Sequence, residues 1–240
     1  PAVKLICIGA GGPAMSSADA VSIANRSFNF LTKLFKNLGN LLLLIVLNVI
    51  PVVNFIVLGY FSRVLKHDLE EPPELRAEEI GGMFVDGLKV FLAVLLLAIV
   101  PLLIFLALAG PAIFLVILQG GPLQPLLLPA VAAGAVAAVL VALAIFFFAL
   151  PQLAIMIRTD NFGKLFAFGE GWSLIQAFGL GNYILLFAIL LGFNLVVTVV
   201  LQVIPYVGSA IAGVFTEAFA FKALSYLVNL KYPVPPPPAR

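Results

Sequence analysis

The chain has 240 residues, 63% of them hydrophobic and 10% charged, with a formal net charge of +2 and a mean hydropathy of +1.19. Soluble domains carry about 25% charged residues and are roughly half apolar, so this much apolar surface exceeds what a water-soluble core can hide and the sequence reads as a polytopic membrane protein. The small charge, with no basic cluster interleaved with aromatics, argues against nucleic acid as a partner; a single cysteine (Cys7) and a single histidine (His67) exclude an intrachain disulfide framework and a Cys- or His-based metal site.

Residues 1–27 read as an amino-terminal extension. The chain starts at Pro1, so Met15 is one candidate start and removal of an initiator before Pro1 is the other. The stretch "KLICIGAGGPAMSSADA" loosely resembles a signal peptide, but its apolar run is short and broken by glycines. Gly9-x-Gly11-x-x-Ala14 follows a strand-like run, yet membrane helices rather than a βαβ unit come after it, so no cofactor is expected. Hydropathy then marks spans at about 38–61, 87–109, 128–157, 182–203 and 207–230, each near the roughly 20 apolar residues a bilayer core requires.

Five spans place Lys4, Arg26, Lys33 and Lys36 opposite the loop holding Arg63, Lys66, Arg76 and Lys89, which obeys the positive-inside rule poorly. An internal repeat suggests six. "VLNVIPVV" at 46–53 returns as "VLQVIPYV" at 200–207, and the same shift pairs Asn40 with Asn194, Gly59 with Gly213 and Phe61 with Phe215. Pro205-Tyr206-Val207-Gly208 reads as a tight turn between two spans, and by analogy Pro51 turns a hairpin, because proline removes a donor and disfavours helix in the residue before it. The expected fold is therefore an all-α transmembrane bundle of about six helices over 28–231, with two proline-hairpin repeats and a central pair. The first helix would run from about Phe28 to Ile50 and the second from Val53 to beyond Lys66. Phe28, Leu31, Leu34, Phe35 and Leu38 would share an interfacial face. The alternative is five helices, with Pro51 only kinking the first span. With six, the outer connections 51–54, 110–128 and 204–207 carry no charge, and both termini face the cytoplasm.

Several blocks carry a resemblance: "GYFSRVLK" (Gly59 to Lys66), the acidic linker "EEPPEL", "FVDGLKVF" (Phe84 to Phe91) leading into a helix with Pro101, a helix closing with "LPQLAI", the linker "NFGKLFAFGEGW" and the final proline hairpin. Together they resemble the prokaryotic, largely archaeal, membrane family catalogued as domain of unknown function 4013, over roughly residues 28–231. The Gly-Tyr-x-x-Arg and Asp-Gly-Leu-Lys blocks are its most specific parts; Ile80 to Met83 departs from the pattern by lacking an aromatic-acidic cluster. The resemblance implies a helical domain in a cell membrane and carries no activity.

Among single residues, Glu217 and Lys222 lie inside the last helix, and the repeat puts Glu217 in the slot of Arg63. This predicts an Arg63–Glu217 ion pair, read as a structural staple with Lys222 snorkelling inward, or as part of an ion path. The acids between His67 and Asp86 read as a solvated face, except Asp86, which precedes Gly87 and is expected to cap a helix. Trp172, in a broken amphipathic segment over 161–182, is expected to anchor at headgroup depth. Residues 232–240, "YPVPPPPAR", read as a polyproline tail. The sequence contains no paired nucleophile and base, His-Glu metal motif or phosphate-cradling loop, so no enzymatic activity is expected. The reading is a structural or accessory subunit in a prokaryotic plasma membrane, with the lipid bilayer and other copies or membrane subunits as partners. Gly- and Ala-rich faces such as "AVAAGAVAAVLVALA" suit that role. The alternative is a small transporter or channel using Arg63, Glu217 and Lys222.

Overall fold

A computed structural model describes residues 19–119, 127–205 and 207–234. It is all-helical, with no strand among the described residues. Eight α-helices follow in order: α1 (Ala20–Leu34), α2 (Leu38–Val49), α3 (Phe55–His67), α4 (Ile80–Gln119), α5 (Leu128–Thr159), α6 (Phe168–Phe178), α7 (Leu180–Leu201) and α8 (Val207–Asn229). Short 3₁₀ turns at Ala77–Glu79 and Phe162–Phe166 lead into α4 and α6. The helices α4, α5, α7 and α8 are long and apolar enough to cross a membrane, and α1 with α2, bent by 99°, would make a fifth as one broken span.

That bend corrects the expected Phe28–Ile50 helix. Asn37 accepts a hydrogen bond from the Asn40 backbone N–H at 3.1 Å, which is how an N-cap starts a new helix. Helix α1 begins earlier than expected, capped by Asp19 on the Ser22 N–H at 2.7 Å. Ala20, Ile23 and Ser27 are buried, so the bundle includes residues assigned to the extension; residues 1–18 and 235–240 lie outside the described residues.

Pro51 lies in the turn after α2, where Ile50 is extended and Val52 takes a positive φ of 72°. This separates α2 from α3, and Pro51 does not sit within a kinked helix. Pro205 lies in the turn between α7 and α8. The two hairpins differ in size: α2 and α3 have 12 and 13 residues, α7 and α8 have 22 and 23. At 1.5 Å per residue the first pair reaches only about 20 Å, short of the roughly 30 Å bilayer core.

Asp86 does not cap a helix. The 3₁₀ turn at 77–79 runs directly into α4 at Ile80, so Asp86 lies almost two turns inside it, past the orphan amide donors of the first turn.

The core sits at one end of the molecule. Helices α3 and α4 cross there in near backbone contact: a Cβ on Gly59 would lie 1.7 Å from the Met83 carbonyl oxygen, and one on Gly87 would lie 1.8 Å from that of Phe55. Any side chain at either position would force the helices apart. The Phe55 and Phe91 rings are 4.8 Å apart, so the start of α3 is level with Phe91. From there α4 continues for about 42 Å to Gln119, passing Pro101 and Pro111, and α5 returns beside it. This two-helix arm is uncharged from Val90 to Gln119 and from Leu128 to Ile157. Its buried residues beyond Phe91 on α4, and before Ala149 on α5, are Ala93, Pro101, Ala109, Ala112 and Gly134. Large apolar side chains such as Leu103, Phe114, Val139 and Leu140 face outward.

Around the base, α8 runs parallel to α3, with Ser225 Oγ 3.3 Å from the Leu65 carbonyl oxygen. Helix α1 lies along α8 in the opposite sense, with the Arg26 guanidinium over the Tyr226 ring and Phe35 stacked on Phe215. Asn48 of α2 donates to the Ala210 carbonyl of α8 at 2.8 Å, a side-chain clasp between the two helices.

Candidate functional site: a charged layer at the base

Two aspartates organise the charged end. Asp68 ends α3 and Asp160 ends α5, both in the left-handed region with φ of 51° and 50°. Each helix closes with a reverse bond, Leu69 N–H to Val64 O and Asn161 N–H to Met156 O, both 3.1 Å. Glycine usually fills such a position. Aspartate tolerates it better than most residues, and here its side chain is in use.

Asp160 accepts from Lys66 of α3 at 3.0 Å and Lys89 of α4 at 2.9 Å, so one carboxylate joins three helices. The bond from Lys89, then that from Lys66, holds its carboxyl below the usual range. Asp68 does the same for α8: it takes Lys222 Nζ at 3.0 Å and the Ser225 hydroxyl at 2.6 Å, and also accepts from the Asn229 amide. Lys222 has no exposed side-chain surface, and it also reaches Glu70 Oε1 at 3.2 Å and the face of Tyr226 at 4.3 Å. Arg158 of α5 closes this group, donating to Asn229 Oδ1 at 2.6 Å and Ser225 Oγ at 3.1 Å. A fully desolvated ammonium persists only when paired and hydrogen-bonded, and these partners meet that condition.

The predicted Arg63–Glu217 pair does not form. Arg63 turns to α4 instead, with Nε to Asp86 at 3.1 Å and Nη1 to Glu79 at 2.9 Å. Gly82 leaves room for it, since a Cβ there would lie 2.4 Å from Arg63 Nη2. The reason is register. The repeat offset of 154 would level Arg63 with Glu217, but the Leu65–Ser225 contact is an offset of 160, which puts Glu217 about 9 Å further up α8. Glu217 keeps a buried Oε2 with no hydrogen-bond partner among the described residues. Lys222 is not a solvent-seeking cation, because its buried ammonium is paired with Asp68 and Glu70. The acidic linker is likewise more than a solvated face: Asp68, Glu70, Glu71, Glu79 and Asp86 all hold ion pairs.

Trp172 lies on α6, partly exposed, 6.3 Å from the Phe148 ring. Its helix is tied to the end of α8 by Glu170, which pairs with Lys164 and accepts from the Tyr232 hydroxyl at 2.6 Å. The Lys164 bond, then the Tyr232 bond, lowers the Glu170 pKa, while burial and then Glu170 push the Tyr232 hydroxyl up to about 12. Tyr232 is therefore bonded to the base, although the sequence placed it in the polyproline tail. Sequence reasoning missed Arg158, Asp160, Ser225, Asn229 and Asn48. The "RTDNFG" punctuation after a long apolar run was the available signal for the first two.

Two cavities open among these pairs. One of about 240 Å³ is lined by Ser62, Lys66, Asp86, Lys89, Asp160 and Phe162, and another of about 250 Å³ by Tyr60, Arg63, His67, Glu79 and Met83 among others. Glu217 and Lys222 line neither. Burial, then the charges of Lys66, Arg63 and Arg158, lowers the His67 pKa, so its imidazole is neutral at pH 7. The charged side chains here neutralise one another, and their observable work is to hold α1, α3, α4, α5 and α8 together.

Fold and site together define a helical protein with helices of membrane-crossing length, cross-linked at one end by ion pairs. The chain belongs to the family described as "Protein of unknown function (DUF4013)", whose model matches residues 42–206. That match covers most of α2 through α7, less than the 28–231 expected. Both specific sequence blocks fall within it, and the fold docks them on each other: Gly59 on Gly87, Arg63 on Asp86. No curated protein and no solved structure matches the chain.

Proposed function

We propose that the chain is a non-enzymatic structural or accessory subunit of a prokaryotic plasma membrane, multi-pass, with its charged base and both termini on the cytoplasmic side. It assembles with further copies or with other membrane subunits. The observation that carries this reading is the pairing of an ion-paired base with an arm that buries small residues and presents large apolar ones. Small residues at helix contacts suit packing in lipid, where close approach replaces the hydrophobic effect. The test is the composition and mass of the native particle in mild detergent. A reproducible second component, or a defined multiple of this chain, supports the reading; a monodisperse monomer overturns it.

One observation favours a second reading, a small transporter or channel: the unpartnered Glu217 oxygen inside α8, since intramembrane ionisable groups often mark ion or proton paths. Flux through proteoliposomes that is lost in Glu217→Gln supports transport. Equal flux with wild type and variant removes it.

A further inference from the structure

Helix α1 has an apolar face that the protein covers only in part. Ile23, Phe30, Leu31 and Leu34 are buried against the bundle, while Val21, Phe28 and Phe35, with Leu38 at the start of α2, are exposed. The sequence put Phe28, Leu31, Leu34, Phe35 and Leu38 on one face; the fold splits that set between protein and surroundings. The uncovered flank continues into the exposed Leu42, Leu43 and Val46 of α2.

On the other side of α1, Arg26, Asn29, Lys33 and Lys36 recur at helical spacing and line a groove of about 550 Å³ with Thr32, Glu70 and Tyr226. Lys33 is engaged by Glu71 at 2.9 Å and the Glu70 carbonyl at 2.8 Å. The groove's one acid, Glu70, is occupied by Lys222 and by the Tyr226 hydroxyl at 3.1 Å. Arg26 and Lys36 have no ion pair among the described residues; Arg26 rests on the Tyr226 ring, 5.6 Å from its centroid. The groove therefore presents two uncompensated cations and an amide, on a helix whose opposite flank is bare and apolar.

We infer that the Arg26–Asn29–Lys36 groove faces the headgroup region of the membrane and binds anionic phospholipid there. The inference rests on the membrane reading of the chain but not on its being a subunit of anything. The apolar flank favours a lipid over a free phosphate: it gives acyl chains a surface beside the groove, while each basic residue near the membrane surface adds attraction to anionic headgroups. Inorganic phosphate would gain nothing from Phe28 and Phe35.

The experiment uses the full chain in nanodiscs of phosphatidylcholine containing one fifth phosphatidylglycerol. Lipids retained after transfer to detergent are identified by native mass spectrometry. Wild type is expected to keep phosphatidylglycerol in preference to phosphatidylcholine, with the preference falling about thirtyfold in Arg26→Gln/Lys36→Gln. Lys164→Gln, whose lysine pairs elsewhere, is expected to keep it. Should the double variant be recovered poorly, Lys36→Gln alone, at an exposed position, gives a smaller loss in the same direction. An unchanged preference in a folded variant overturns the inference. So does displacement of the retained lipid by millimolar inorganic phosphate, which would assign the groove to a free anion. A native particle lacking any partner would count against the subunit reading and leave this result standing.

Discussion

In the base, α3 buries eight of its 13 residues, including Tyr60, Phe61 and Leu65, and its contact with α4 is set by the glycines Gly59 and Gly87 and by the Arg63–Asp86 ion pair. In the arm, the buried residues are alanine, proline and glycine, and the bulky side chains point away. The base is built as a water-soluble core is built, with large apolar groups inside and charges satisfied at its edge. The arm inverts that pattern, which holds together where the surroundings are as apolar as leucine. One polypeptide thus changes its packing logic along α4, near Phe91.

The largest test of this contrast is Lys222→Met. It strips the part-buried Asp68 of its ammonium partner and should cost about 3 kcal/mol, the low end for a broken buried pair, read as a lower midpoint in denaturant titration of the detergent-solubilised protein. A loss under about 1 kcal/mol would show that the base does not depend on its ion pairs. Gly59→Val drives a side chain into the Met83 carbonyl and should cost on the order of 3 kcal/mol, as overpacking does. In the arm, Leu106→Arg should disfavour insertion by about 2.5–3.5 kcal/mol if that residue lies near the bilayer centre. Unchanged recovery in the membrane fraction would place the middle of the arm in water and break the comparison.

Asp160 gives a smaller effect with a diagnostic sign. Its pKa is lowered in the folded protein, so its contribution is full above the unfolded carboxylate value and is lost as pH falls through the folded one. Thermal stability should therefore decline below about pH 4, and Asp160→Asn should flatten that acid limb. Asp160→Gly relaxes the left-handed backbone but also frees Lys66 and Lys89; stability equal to or above wild type would mean the charge bridge contributes no more than that backbone strain costs. The smallest change is expected at Gly110, which has open space where a side chain would go. Gly110→Ala should be neutral or raise stability by up to about 1 kcal/mol through helix propensity, against the loss at Gly59.

The long helices were legible because runs of apolar residues leave little else for α4, α5, α7 and α8 to be, and the breaks at Pro51 and Pro205 followed from the chemistry of proline. The break at Asn37 was not: Lys36, Asn37, Gly39 and Asn40 do interrupt the run, but the apolar stretches flanking them add up to the length of one span. The partner of Arg63 was missed for a different reason. A sequence repeat gives the spacing along the chain, while the depth at which two helices meet depends on packing, here set by Leu65 and Ser225. Asp68 and Asp160 were obscured because a helix end normally advertises itself with glycine.

The two prolines within α4 carry a consequence for the shape of the arm. Each lacks the amide that would bond back four residues, leaving the Leu97 and Ala107 carbonyls without their helical donors and opening a wedge on that side. Ten residues of helix rotate through nearly three turns, so the wedges point about 80° apart. Two bends in different planes do not add up to a simple arc or cancel to a straight rod. Bending at both prolines is therefore expected to give the arm a handed course, which a neighbour lying along its whole length would have to follow.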